Sequence, residues 1–158
     1  MPGRDGIADR VEIEALCCEF VDAAVMRDFG RFASLFTDDG AWRVPYAGLE
    51  FVTREAIRDG IEQLQRHWQY FLQATHSVVA RVDGDEATGR AYIVEFGKLS
   101  KGRSQLHWSV YHDRYRRTVD GWKFQERVYE ILYFDTAPLT GSVPGAAFAP
   151  RHGPSRSS

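Results

Sequence analysis

The chemistry open to this chain begins with its five histidines, His67, His76, His107, His112 and His152. An imidazole can take a proton near neutral pH once a carboxylate or another acceptor fixes its tautomer. His76 opens an alternating run directly after a helical pattern, where its ring can look into the space between helices and sheet. The other reading is a half-buried histidine bonded to backbone. His107 and His112 share one expected strand, but a separation of five puts them on opposite faces and excludes them as a joint ligand set. A metal site from His76, His107 and a carboxylate is geometrically open, and the metal-free reading is preferred.

Asp22 lies on an expected first helix, on a stripe with Cys18, Val25 and Phe29 beside the apolar face. Its carboxylate belongs either at the solvent boundary or in a pocket. Arg127 sits among Phe124, Val128, Ile131 and Leu132, and a non-titrating guanidinium facing a pocket could hold an anion or stabilise a leaving group. On the strand from 104, one face carries His107, Ser109, Tyr111, Asp113 and Tyr115, the polar handles that a pocket uses to orient a ligand. The alternative for that face is solvent with cross-strand pairs. Tyr46, at the end of a short strand, joins Val25, His107, Ser109 and Tyr111 as a substrate-binding candidate. No phosphate-binding glycine loop, His-Glu-x-x-His or Cys-x-x-Cys pattern occurs, so no cofactor is expected.

These residues need elements to position them. Ile13, Leu16, Cys17, Phe20, Ala23 and Ala24 recur at helical spacing over 7–26, with Asp9 as the expected N-cap. Phe32, Leu35 and Phe36 continue a second short helix, stopped by Thr37 to Gly40. Residues 41–46 form a short strand that Pro45 either ends early or confines to an edge. Thr53 caps a third helix reaching about Phe71, with Ile57, Ile61, Leu64, Trp68 and Phe71 buried. From His76 the period becomes two, and runs over 86–99, 104–119 and 122–135 are separated by tight-turn residues, including the hairpin signal Asp120-Gly121. Helices first and strands afterwards give an α+β domain with an antiparallel meander.

At 158 residues, with 44% apolar and 27% charged residues, the chain suits one soluble domain. A net charge of −2 gives no field to recruit nucleic acid or an anionic membrane, and no apolar run is long enough to span one, so a cytoplasmic location is expected. Cys17 and Cys18 are adjacent and read as buried small apolar residues.

The run Arg31 to Asp39 (RFASLFTDD) with Trp42 resembles the helix-hairpin ending of SnoaL-like proteins, within the nuclear transport factor 2-like superfamily. Thr75-His76, the stretch Asp120 to Phe124, Tyr133-Phe134, Pro138 to Gly141 and Phe148 to Pro150 are similar to the hexachlorocyclohexane dehydrochlorinase family. The resemblance spans residues 9–150. It implies a cone-shaped α+β barrel with three N-terminal helices on a curved sheet. It also implies a cofactor-free lyase, as in the scytalone dehydratase family, typically trimeric. In it His76 matches the catalytic base, Arg127 the arginine that assists the leaving group, and Ser109 a substrate-contacting serine. The pattern departs at two positions: the family's helix-one aspartate falls on Val25, and its pocket lysine on Phe20. Asp22, one turn before Val25, becomes the candidate to orient His76.

The expectation is therefore a flexible segment 1–8, a SnoaL-like domain over 9–136, and an extension 137–158, frayed at its end, that caps the pocket or a neighbouring subunit. The domain acts as a lyase or isomerase on a small apolar molecule, cyclic or open-chain, in a homo-oligomer. The alternatives are a ligand-binding or oxygenase small-subunit module and an epoxide hydrolase or cyclase.

Overall fold

The structure, a computed structural model, describes residues 4–144, with side chains from Gly6 onward. Helix α1 (Arg4–Val25) buries Ile13, Leu16, Cys17, Phe20, Ala23 and Ala24, the face its spacing predicts. It begins five residues before Asp9, so part of the expected flexible segment 1–8 is helical and Asp9 is not a cap. The Asp9 carboxylate is instead buried, where it accepts hydrogen bonds from Arg117 Nη1 at 2.7 Å and Trp122 Nε1 at 3.0 Å. Of the two cysteines, Cys17 is buried and Cys18 is exposed. Burial pushes the Cys17 thiol up to about 11, which keeps it a neutral apolar group.

Asp28 caps α2 (Phe29–Ser34) by accepting from Arg31 N at 3.1 Å. The helix stops at Ser34, so Phe36 belongs to β1 (Phe36–Val44) rather than to the helix. A 3₁₀ turn, Pro45–Ala47, and the left-handed Gly48 lead into β2 (Leu49–Val52), which no sequence signal marks. Thr53 then caps α3 (Arg54–Gln65), its hydroxyl accepting from Ala56 N at 3.3 Å.

Four long strands complete the fold: β3 (Trp68–Asp83), β4 (Glu86–Leu99), β5 (Ser104–Thr118) and β6 (Gly121–Asp135). The sheet order is β2-β1-β6-β5-β4-β3, antiparallel except where β1 runs parallel to β6. β1 is thus flanked on both sides and β2 takes the edge, so Pro45 ends β1 at Val44 rather than marking it as an edge strand. α3 ends six residues before Phe71 because 68–72 are strand-forming aromatics and aliphatics that pair with 96–99 of β4. Gly97 permits that pairing, since a Cβ there would collide with the Tyr70 carbonyl and the Trp68 ring.

The three helices pack against the concave face of this curved sheet, as the α+β expectation requires. Between them Phe20, Phe32, Phe36 and Phe124 form a ring cluster, with Phe20 and Phe32 centroids 4.5 Å apart. Arg127 lies inside this core with no exposed surface. Asp113 takes its guanidinium through two bonds of 2.8 and 2.9 Å, and the rings of Phe20, Tyr111 and Phe124 surround it at 4.0–4.3 Å. Burial opposes the Arg127 charge, but Asp113 more than offsets it and the group stays protonated. Nη1 has no partner among the described residues.

Candidate functional site

The pleat of the sheet decides which side chains can meet over its concave face. Gln73 of β3 pairs with Glu95 of β4, and Glu95 pairs with His107 of β5, so three polar residues stand side by side on neighbouring strands. They form part of the wall of a cavity of about 310 Å³. Its apolar lining comes from Phe20, Ala24 and Phe32 of α1 and α2, Trp42 and Val44 of β1, Ile61 and Leu64 of α3, and Trp68 and Phe71 of β3. Tyr46 and Leu49 contribute from the 3₁₀ turn and β2, and Tyr111, Tyr129 and Ile131 from β5 and β6.

The polar wall is one connected network. Glu95 Oε1 accepts from Tyr129 Oη at 2.6 Å and lies 3.1 Å from His107 Nδ1. Glu95 Oε2 accepts from Gln73 Nε2 at 2.8 Å. Tyr129 Oη itself accepts from Ser109 Oγ at 2.7 Å, and it too is 3.1 Å from His107 Nδ1. Because Tyr129 spends its only proton on Glu95, both oxygens near Nδ1 are acceptors, and the network requires the Nδ1–H tautomer of His107. In the neutral ring Nε2 then carries the lone pair, and it is buried without a partner among the described residues. Burial raises the Tyr129 phenol far above its ordinary value, and the Glu95 carboxylate adds to this, so the proton stays on Tyr129.

Tyr111 supplies the cavity's other polar feature. Trp42 Nε1 donates to Tyr111 Oη at 3.1 Å, which leaves the tyrosine's own O–H to be given elsewhere. Burial raises this phenol as well, ahead of the opposing Arg127 charge, so it remains a donor.

The sequence candidates divide sharply on this geometry. His107, Tyr111 and Tyr46 line the cavity, with Tyr46 at its exposed rim 6.0 Å from the Phe134 ring. His76 does not. Inward-facing positions of β3 run Phe71, Gln73, Thr75, and the register shifts between Thr75 and Val78, so His76 turns outward and stacks on Trp108 at 5.0 Å. Asp22 is likewise exposed: Arg31 takes its carboxylate together with those of Glu19 and Asp28. The expected pairing of Asp22 with His76 is therefore absent. Arg127 is locked in the core by Asp113 and does not reach the cavity. Ser109 stands behind Tyr129 as its donor, and Val25 is half-buried outside the lining. The described part of the C-terminal extension is tied back through Leu139 N, which donates to Ser104 Oγ at 3.0 Å beside the lining residue Gln105. The rest of that extension, including Phe148 to Pro150 and His152, lies outside the described residues.

Glu95, Gln73, Tyr129 and Trp42 were missed. The signal for Glu95 was present: Ala91, Ile93 and Glu95 share one strand face, and a carboxylate ending an apolar face asks for a partner.

A SnoaL-like domain profile matches residues 5–128 of the chain. The chain belongs to the SnoaL-like domain family. Among proteins of this kind, the gamma-hexachlorocyclohexane dehydrochlorinase of Sphingobium indicum is 30% identical over 146 residues, covering 89% of this chain and 90% of that protein. The hexachlorocyclohexane dehydrochlorinase LinA-type3 of Novosphingobium barchaimii LL02 superposes with a TM-score of 0.79 at 27% identity, covering 89% of this chain and 98% of that one. The LinA type 2 structure gives a TM-score of 0.82 at 24% identity, covering 89% and 97%, a likeness of fold. The cone-shaped α+β architecture is that of this SnoaL-like chain.

Proposed function

We propose that this SnoaL-like protein is a cofactor-independent lyase whose general base is His107, oriented by Glu95, and whose substrate is a small, mostly apolar cyclic molecule. The observation that carries this reading is the His107–Glu95 pair on the cavity wall with Nε2 left bare. A carboxylate on Nδ1 fixes the tautomer and stabilises the imidazolium that forms on proton uptake. The histidine-carboxylate pair expected from His76 and a helix-one aspartate is rebuilt here on β4 and β5.

In the step itself, His107 Nε2 takes a proton from a carbon next to the one bearing the leaving group. The C–H electron pair becomes the new C=C bond, and the leaving group departs with the electrons of its own bond. Tyr111 O–H donates to that group as its negative charge develops. The dehydrochlorinase named above supports an elimination. An apolar cavity of about 150 Å³ holds benzene, so 310 Å³ suits a molecule about the size of two fused rings.

The test is a panel of cyclic halides and alcohols, with formation of the new double bond followed by absorbance and mass spectrometry. Substitution His107→Gln should lower turnover about 10²–10⁴-fold, the usual share of a general base. Turnover unchanged in that variant would remove the mechanism. One observation favours a second reading, a non-catalytic ligand carrier: the positions matching the family's base and orienter, His76 and Val25, do not serve this cavity. Recovery of every bound panel member unaltered would establish that alternative.

The outward sheet face exposes Phe96, Trp108, Leu132 and Tyr133, apolar surface that a second copy would cover. We propose a homo-oligomer, a trimer by likeness to the family, with no nucleic-acid or membrane partner. Light scattering should return a multiple of 18.0 kDa, falling toward one unit in Trp108→Glu.

A further inference from the structure

Two buried acceptors on this wall have no donor among the described residues: His107 Nε2 and Gln73 Oε1. The orientation of the Gln73 amide follows from chemistry, because the Glu95 carboxylate has no proton to give and must face the amide's N–H. Its carbonyl is therefore turned away from Glu95. Leaving a buried acceptor unpaired is unfavourable, and a cavity that does so in a side chain of its own wall is shaped for a ligand that brings the donor.

We propose that Gln73 Oε1 is a specificity site that accepts a hydrogen bond from a hydroxyl of the ligand. The occupant of the cavity is thus an apolar ring system carrying at least one O–H, rather than a hydrocarbon or a halide without a donor. This rests on the cavity being the ligand site, as proposed above, but not on His107 acting as a base. With Gln73 two strands from His107, the ligand hydroxyl would be held near β3 while the ring extends over β5 toward Tyr111. The carbonyl discriminates through the penalty it imposes: a halide in the same place leaves Oε1 buried and unpaired, whereas an alcohol satisfies it.

The experiment is equilibrium binding by calorimetry with three ligands of one shape: 2-naphthol, naphthalene and 2-chloronaphthalene. The intact protein should bind 2-naphthol about tenfold more tightly than the other two, the ratio that corresponds to one buried acceptor satisfied rather than orphaned. In Gln73→Met the ratio should fall to about one, with naphthalene affinity retained as the check that the cavity is intact. In His107→Phe the preference should persist, which separates a hydroxyl held by Gln73 from one held by the histidine. A second measurement needs no variant: the Gln73 side-chain carbonyl carbon resonance should move on adding 2-naphthol and stay fixed with 2-chloronaphthalene. Equal binding of the three ligands by the intact protein, a preference that survives Gln73→Met, or a carbonyl resonance indifferent to 2-naphthol would each overturn the proposal. Loss of turnover in His107→Gln bears on the base alone and leaves this ratio untouched.

Discussion

Glu95→Gln isolates the carboxylate from the space it fills. In the intact protein Glu95 receives three hydrogen bonds, from Tyr129, His107 and Gln73, and its side chain is 14% exposed. The amide keeps one acceptor, enough for Tyr129 and His107, and turns an NH₂ toward Gln73. Gln73 must then rotate its amide and offer Oε1, which satisfies the pair again. Three charge-assisted bonds become neutral ones, each weaker by about 1 kcal/mol. Relief of carboxylate desolvation opposes this by a similar amount. Net stability should therefore move by no more than about 1–2 kcal/mol, read from urea denaturation. The chemistry should suffer far more. Without a negative charge beside Nδ1, the imidazolium that forms on proton uptake loses its ionic partner, although the amide oxygen still holds the Nδ1–H tautomer. A loss of about 10²–10³-fold in kcat, with KM nearly unchanged, is expected. A double variant with His107→Gln should be no worse than the single ones, because the two residues act as a unit. Nitrogen-15 resonances of His107 supply a readout free of any substrate: in the neutral ring, protonated Nδ1 and bare Nε2 in the intact protein and in Glu95→Gln alike. An intact protein with its proton on Nε2, or a Glu95→Gln variant within about threefold of full activity, would refute the reasoning.

Three other outcomes follow from the same geometry. His76→Ala should leave turnover within about threefold and cost at most about 1 kcal/mol, since it removes one exposed ring stack on the far side of the sheet; activity and melting temperature check both. Asp113→Asn should destabilise the fold by about 3–5 kcal/mol by leaving Arg127 charged, buried and unpaired. The double change Asp113→Leu with Arg127→Met should recover most of that in the same denaturation assay. Asp9 carries the acid-side pH dependence. Hydrogen bonds from Arg117 and then Trp122 hold its carboxyl below the ordinary value of 3.8, so its contribution is fully present above that pH and is lost as pH falls through the lower, folded value. Asp9→Asn should be less stable at pH 7, and the gap to the intact protein should close below pH 3.8.

Helix periodicity was legible because it is local. The buried stripe of α1 at Ile13, Leu16, Cys17, Phe20, Ala23 and Ala24 and the capping of α3 by Thr53 needed only i, i+3, i+4 spacing and a hydroxyl before the first turn. Alternation likewise separated His107, Ser109, Tyr111, Asp113 and Tyr115 from the outward Trp108, His112 and Arg114, and all five lie buried. Motifs fixed the family. Register and pairing stayed hidden, because they depend on residues far apart in the chain. The shift between Thr75 and Val78 turned His76 away from the cavity it was expected to serve, and no property of His76 itself announces it. Arg127 reads as a free cation until Asp113, fourteen residues earlier, is seen across the neighbouring strand. The sequence by itself determined an α+β SnoaL-like domain and put His107 and Tyr111 together on one face of a strand, leaving open whether that face was pocket or solvent. Only the tertiary structure decided which carboxylate meets which histidine, since that pairing follows from the β3, β4 and β5 alignment that sets Gln73, Glu95 and His107 in one row.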